Sequence, residues 1–305
     1  MLKDLVRDVA QAGFARIAAP TIPSDDLYLQ IDGDFIAAPP VTMHGHIPDL
    51  LAGVWAALRE STLAGPADRE GRETVATEVS GINSCPYCVE VHGSLAGDAR
   101  SEDVGRWARA TRTPSDPVLA DPPFEASEAP YFIGTGLAFH YINRMVSAFL
   151  TPTASGTIPT PETAAMIRDA IGVRNLEPGA SLRFVKDAPL PPELVKLNAA
   201  SEVAAAWGAL CAAAERCGEN TLTTRVRTSV GERIDKWDGT DPRLGWNAPD
   251  EGPGARFALT VALAAYRVDD ELVATTRNSH PTDIELVSIA AWSSMRAVRR
   301  IATWL

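Results

Sequence analysis

Residues 72–93 read RETVATEVSGINSCPYCVEVHG, and most of the reading of this chain works outward from them. The apolar positions recur at helical spacing on both sides of a polar turn, which predicts one helix over 67–79 and a second, short one over 85–95. Asn83 and Ser84 are good capping residues and Pro86 suits a first helical turn, so the second helix is expected to begin at about Cys85. A thiolate at a helix start is favoured by free backbone N–H groups and by the positive end of the helix dipole. Cys85 and Cys88 are three residues apart and Cys88 and His92 four, so all three can share one face. Two close thiols can oxidise to a disulfide, and a neighbouring imidazole can move a proton to or from sulfur or a leaving oxygen. Glu73 falls on the preceding helix, where it could orient the imidazole or accept its proton. Glu78, five residues further on, points roughly 140° away around that helix.

Outward from this segment, helix signals dominate and period-2 strands are scarce. Residues 48–62 (PDLLAGVWAALREST) place Leu50, Leu51, Val54, Trp55 and Leu58 on one helical face. A proline-rich connection, TPSDPVLADPPFEASEAP, delivers the chain into a long apolar helix over Tyr131–Leu150. Further prolines between 152 and 192 mark a second connection, with one short helix near Glu162–Ile171. The remainder reads as a worn copy of the first part. Trp207, Ala209 and Leu210 echo Trp55, Ala57 and Leu58; Arg256, Phe257 and Ala258 echo Arg106, Trp107 and Ala108. The two parts close alike, in MVSAFL after Arg144 and RIATWL after Arg299. The expected fold is therefore all-α, two helical repeats in one chain: 1–150 with the cysteine pair, 151–192 as connection, and 193–305 as a degenerate copy. The neighbourhood of Lys236–Thr240 stands where the first copy has its thiols, so the second copy is expected to be silent.

Composition narrows the function. With 28 Lys and Arg against 39 Asp and Glu, the net charge is -11, which disfavours nucleic acid and anionic membrane surfaces as partners. The first twenty residues lack the continuous apolar core of a signal peptide. Tyr131–Leu150 is about long enough to span a bilayer but carries His140, Asn143 and Arg144, so it reads as a buried helix. Four cysteines, at 85, 88, 211 and 217, are too few to staple a chain of 305 residues, and a cytoplasmic, reducing compartment fits them better.

The R-E pair, an asparagine and then C-x-Y-C-x-x-x-H resemble the signature of the AhpD-like (alkylhydroperoxidase D) branch of the carboxymuconolactone decarboxylase superfamily. AFHYINRMVSAFL (138–150) is similar to the asparagine-arginine helix that follows the motif in that branch, and together these cover residues 48–150. The resemblance implies two AhpD-like repeats assembling as a homo-oligomer. It implies a thiol peroxidase that reduces small organic hydroperoxides without metal, haem or other cofactor, recharged by an external dithiol. It implies that Cys88 attacks the peroxide, that Cys85 resolves the sulfenic acid as a disulfide, and that Glu73 and His92 form a proton relay. One departure bears on the relay: some members carry histidine immediately before the second cysteine, where this chain has Tyr87.

Other readings stay open on the sequence. C-x-x-C-x-x-x-H offers three zinc ligands, with Glu73, Cys211 or Cys217 as a fourth, in a non-catalytic zinc-binding or structural protein. The same fold could serve a carboxymuconolactone decarboxylase-type lyase. Cys211 and Cys217, six apart, read as core thiols, and His140 as a buried, satisfied hydrogen-bonding residue. His44 and His46 read as a solvated loop or as lining the mouth of the site, and His280 as a turn residue. Arg296, Arg299 and Arg300 read as an oligomer contact or a complement to the dipole of the last helix.

Overall fold

The computed structural model describes residues 13–21, 25–97, 101–150, 165, 168–169, 172–243 and 251–305. The helix expected near Glu162–Ile171 and the first twelve residues lie largely or wholly outside these. The described chain is all-α. Its elements are α1 (Asp26–Asp34), α2 (Pro48–Leu58), α3 (Arg69–Ile82), α4 (Pro86–Ala96), α5 (Glu102–Ala110) and α6 (Ala129–Phe149). The second half adds α7 (Ser201–Thr221), α8 (Thr224–Asp235), α9 (Pro253–Ala264), α10 (Asp270–Arg277) and α11 (Asp283–Ala302). Among the described residues, strand-like pairing is confined to two isolated bridges, Phe14 with Leu150 and Ala64 with Leu176. No described helix is long and apolar enough to cross a membrane.

The centre is α6. Nearly every side chain from Pro130 to Phe149 is buried, so the helix is apolar all round because it is covered all round. It packs against α3 on one side and α11 on another, while α2 packs against α7. The α2–α7 crossing is close at Gly53, where a Cβ would come within 2.9 Å of the Leu210 Cα. One hydrophobic core runs from Ile17 to Leu305 through both halves.

Arg256–Ala258, which echoes Arg106–Ala108 of α5 in sequence, lies on α9, and α9 packs along α11. Residues 172–192 run back over the first half: Glu60 accepts hydrogen bonds from the Gly179 N–H (2.7 Å) and the Ser181 hydroxyl (2.6 Å).

Candidate active site

Asp68 begins α3 by accepting from the Gly71 N–H at 2.7 Å, and the helix continues to Ile82, beyond the expected end at Val79. The turn into α4 is tight: Ser84 sits at φ 57°, the left-handed region, and the Cys85 N–H bonds back to the Ser80 carbonyl at 3.0 Å. A non-glycine residue there costs about 1 kcal/mol, offset by the contacts that fix the turn. Neither Asn83 nor Ser84 caps α4. Cys85 itself occupies the N-cap position and Pro86 the first turn. Asn83 is drawn inward instead, where its amide has stronger business with buried acceptors.

Both sulfurs are buried, each residue only 2% exposed, and they lie 2.9 Å apart, within hydrogen-bonding distance. The bond between them pulls the Cys85 thiol below its ordinary value despite burial, helped by the Cys88 backbone N–H and the Asn143 amide. The same bond pushes Cys88 well above its ordinary value, reinforced by burial and by the charge on Cys85. Of the two thiols, Cys85 is therefore the one that gives up its proton more readily. Burial, and then the proximity of Cys88 and Cys85, raises the Tyr87 phenol.

Glu73 is fully buried and spans α3 to α4. One carboxylate oxygen accepts from Arg69 Nη1 and the other lies 2.6 Å from His92 Nδ1. Burial alone would raise the carboxyl, but the Arg69 cation and His92 outweigh it and hold its pKa at about 2. His92, 13% exposed, meets Phe35 face to face at 6.3 Å and the Phe139 ring edge-on at 4.4 Å. Its ring is thereby fixed one helical turn beyond Cys88. Glu78, as its helical phase requires, faces elsewhere and pairs with Arg109 at 3.0 Å.

A chain of oriented amides reaches the sulfurs from α6. Thr111 donates its hydroxyl proton to the Ala108 carbonyl (2.7 Å), so it accepts from His140 Nε2 at 2.8 Å. That leaves His140 Nδ1 to accept from the Asn83 amide at 3.1 Å, so the ring is neutral, with burial and nearby Arg144 and Arg112 pulling its pKa well down. The Asn83 amide also donates to Asn143 Oδ1 (3.1 Å), and Asn143 Nδ2 donates to Ser80 Oγ (3.0 Å). This fixes the Asn143 amide so that its N–H side serves both Ser80 and the cysteine pair. His140 is the satisfied buried residue expected of it.

Sequence reasoning missed two members of this arrangement. Arg69, one turn before Glu73, is its ion partner, whereas Arg72 of the R-E pair donates to the carbonyls of Ser61, Ala64 and Ala67 and to Asn175. The i, i+4 spacing of Arg69 and Glu73 was the available signal. Asn143 carried only its place in the asparagine-arginine helix. The solvated-loop reading of His44 is overturned: it is fully buried, its Nδ1–H donates to the Val41 carbonyl (2.9 Å), and burial lowers its pKa to about 4. His46 meets the Ala18 carbonyl at 3.0 Å. Arg296 and Arg299 are paired within the chain, to Asp235 (3.0 Å) and Glu193 (2.8 Å), and Arg300 donates to the Trp237 carbonyl. Among the described residues no group of three or more His, Cys, Asp or Glu side chains is placed to hold a metal. His92 turns to Glu73 instead of joining the sulfurs as a ligand.

The chain is 29% identical over 320 residues to an alkyl hydroperoxide reductase of Mycobacterium tuberculosis, covering 92% of this chain and 90% of that protein. The likeness to an alkyl hydroperoxide reductase thus extends beyond the cysteine motif to nearly the whole chain. No family model matches it, and no solved structure matches significantly.

Proposed function

We propose that the chain is a thiol-dependent peroxidase that reduces organic hydroperoxides through a Cys85–Cys88 disulfide. The likeness to an alkyl hydroperoxide reductase supports peroxidase-type chemistry in general. The observation that carries the finer reading is the pair of sulfurs 2.9 Å apart at a helix start, one turn from an imidazole bonded to a buried carboxylate.

In this reading Cys88 attacks, because it is the sulfur one turn before His92. Its proton passes to the relay, leaving His92 as an imidazolium. The thiolate attacks the outer peroxide oxygen, the O–O bond breaks, and the leaving alkoxide takes a proton from His92 to give the alcohol and a Cys88 sulfenic acid. The Cys85 thiolate then attacks that sulfur, and hydroxide leaves as water with one further proton, forming the disulfide. Glu73, held ionised by Arg69, steadies the imidazolium that the relay forms. An external dithiol returns the pair to thiols.

The test is stoichiometric. One equivalent of cumene hydroperoxide added to the reduced chain should yield one equivalent of cumyl alcohol by chromatography, with two thiols lost. Peroxide left unconsumed by fully reduced protein would sink the proposal.

A further inference from the structure

Of Glu73, Cys85, Cys88 and His92, the imidazole reaches furthest towards solvent, its side chain 13% exposed against no more than 2% for the others. Its Nδ1 is taken by Glu73, which leaves Nε2 as the ring nitrogen able to face a peroxide oxygen. A molecule that approaches the sulfurs past this ring meets other rings. Phe35, the half-buried residue that ends α1, lies parallel to the imidazole, with 3° between the planes and 6.3 Å between the centres. Phe35 also packs against Val91 and Leu95, and Tyr87 and Val173 complete that apolar cluster. Tyr87, Val91 and Leu95 recur every four residues, so they form one stripe along α4. Phe35 therefore joins the imidazole to an apolar strip. The charges of the adjoining elements are already paired: Asp34 with Arg59 at 2.6 Å, Glu70 with Arg168 at 3.2 Å, and Arg69 with Glu73. Glu90, two residues before His92, points roughly 160° away around the helix. Burial holds the Tyr87 phenol well above its ordinary value, so that ring stays neutral.

We propose that Phe35 is a specificity-determining residue, which with Tyr87 seats the hydrocarbon group of the hydroperoxide, so that bulky apolar hydroperoxides are reduced in preference to hydrogen peroxide. The inference rests on the thiol-peroxidase reading and narrows its substrate class. With the peroxide oxygen at His92 Nε2, the carbon group of the substrate falls beside the ring stacked on that imidazole. A phenyl or branched alkyl group there leaves water and covers aromatic surface, and gains affinity roughly in proportion to the apolar area buried. Hydrogen peroxide has no such group and gains nothing from Phe35. The site residues act on the O–O bond, which both kinds of peroxide share, so discrimination between them falls to the apolar surface next to the imidazole.

The test is single-turnover oxidation of the reduced full chain by cumene hydroperoxide, tert-butyl hydroperoxide and hydrogen peroxide, each rate divided by that of the same peroxide with free cysteine. The expected order is cumene, then tert-butyl, then hydrogen peroxide. Phe35→Ala should lower the ratio of the cumene rate to the hydrogen peroxide rate by about tenfold, and Phe35→Leu, which keeps an apolar side chain, should restore most of it. The order in the unmodified chain needs no variant and carries the test if Phe35→Ala does not fold. Equal normalised rates for the three peroxides, or a Phe35→Ala variant that slows all of them by one factor, would overturn the inference and leave the peroxidase reading standing. If none of the three is consumed, the peroxidase reading fails and this inference fails with it.

Discussion

Cys85 and Cys88 can be set against Cys211 and Cys217, because all four are buried and yet their surroundings differ in kind. The first pair stands at the start of α4, sulfur to sulfur, with a backbone N–H, an oriented asparagine amide and a buried carboxylate–imidazole pair around it. The second pair lies within α7. Burial pushes Cys211 up to about 12 and Cys217 up to about 11, and Cys211 has the Met295 sulfur, 3.5 Å away, as its neighbour. Burial alone therefore makes a thiol inert, and what separates the pairs is the polar framework built around one of them.

The largest effect should come from removing a thiol of the first pair. Cys88→Ser and Cys85→Ser should each abolish multiple turnover, and Cys85→Ser should still react once and accumulate sulfenic acid at Cys88. A sulfenic-acid probe checks this. Labelling of Cys85 in Cys88→Ser would reverse the two roles, which the readier ionisation of Cys85 makes a sharp test.

Next come the relay residues. Glu73→Gln and His92→Asn should each slow single-turnover thiol oxidation by about 100-fold, since acid–base assistance typically contributes 100 to 10,000-fold. The double variant should be little slower than either, because a relay acts as a unit. Glu78→Gln, on its different helical phase, should stay within a few-fold. Glu73→Gln also leaves Arg69 buried without its partner, so it should destabilise the chain by about 3–5 kcal/mol, which a denaturant melt measures.

The pH dependence follows from the same carboxylate. Its folded pKa of about 2 lies below the ordinary 4.5, so its contribution to stability is present above about 4.5 and is lost as the pH falls towards 2. Acid unfolding in that window should be less steep in Glu73→Gln. An unchanged acid profile would mean that the Arg69–Glu73–His92 set is not closed in solution.

A smaller effect is expected from Asn143→Leu, which removes the amide facing the sulfurs. A hydrogen bond to a charged group contributes about 1.5–3 kcal/mol, so alkylation of the first pair at neutral pH should slow by about tenfold or more. Smallest of all, Cys211→Ala and Cys217→Ala should leave peroxide consumption unchanged and cost about 1 kcal/mol of stability each. A loss of activity in either would erase the contrast between the pairs.

How much of this could be read beforehand depended on whether the deciding interaction was local. The helices at 48–58, 86–96 and 129–149 follow from local periodicity, and so does the approach of Cys85, Cys88 and His92 along one helix. Glu73 was placeable because α3 and α4 are joined by a short turn. Asn143 was not, because it meets the sulfurs across sixty residues of sequence through Asn83 and Ser80, and no spacing rule reports such a contact. Asn83 misled for the same reason: its side chain is a good cap locally, but His140 and Asn143 offer buried acceptors. His44 sits in a polar-looking stretch, VTMHGHIP, whose burial is decided by the stacked Tyr141 ring 5.6 Å away.

The most direct test is peptide mapping after one equivalent of cumene hydroperoxide, with free thiols blocked before digestion. The account predicts a single intramolecular Cys85–Cys88 disulfide, with Cys211 and Cys217 recovered as blocked thiols. A disulfide that includes Cys211 or Cys217, or recovery of all four as blocked thiols, would contradict it.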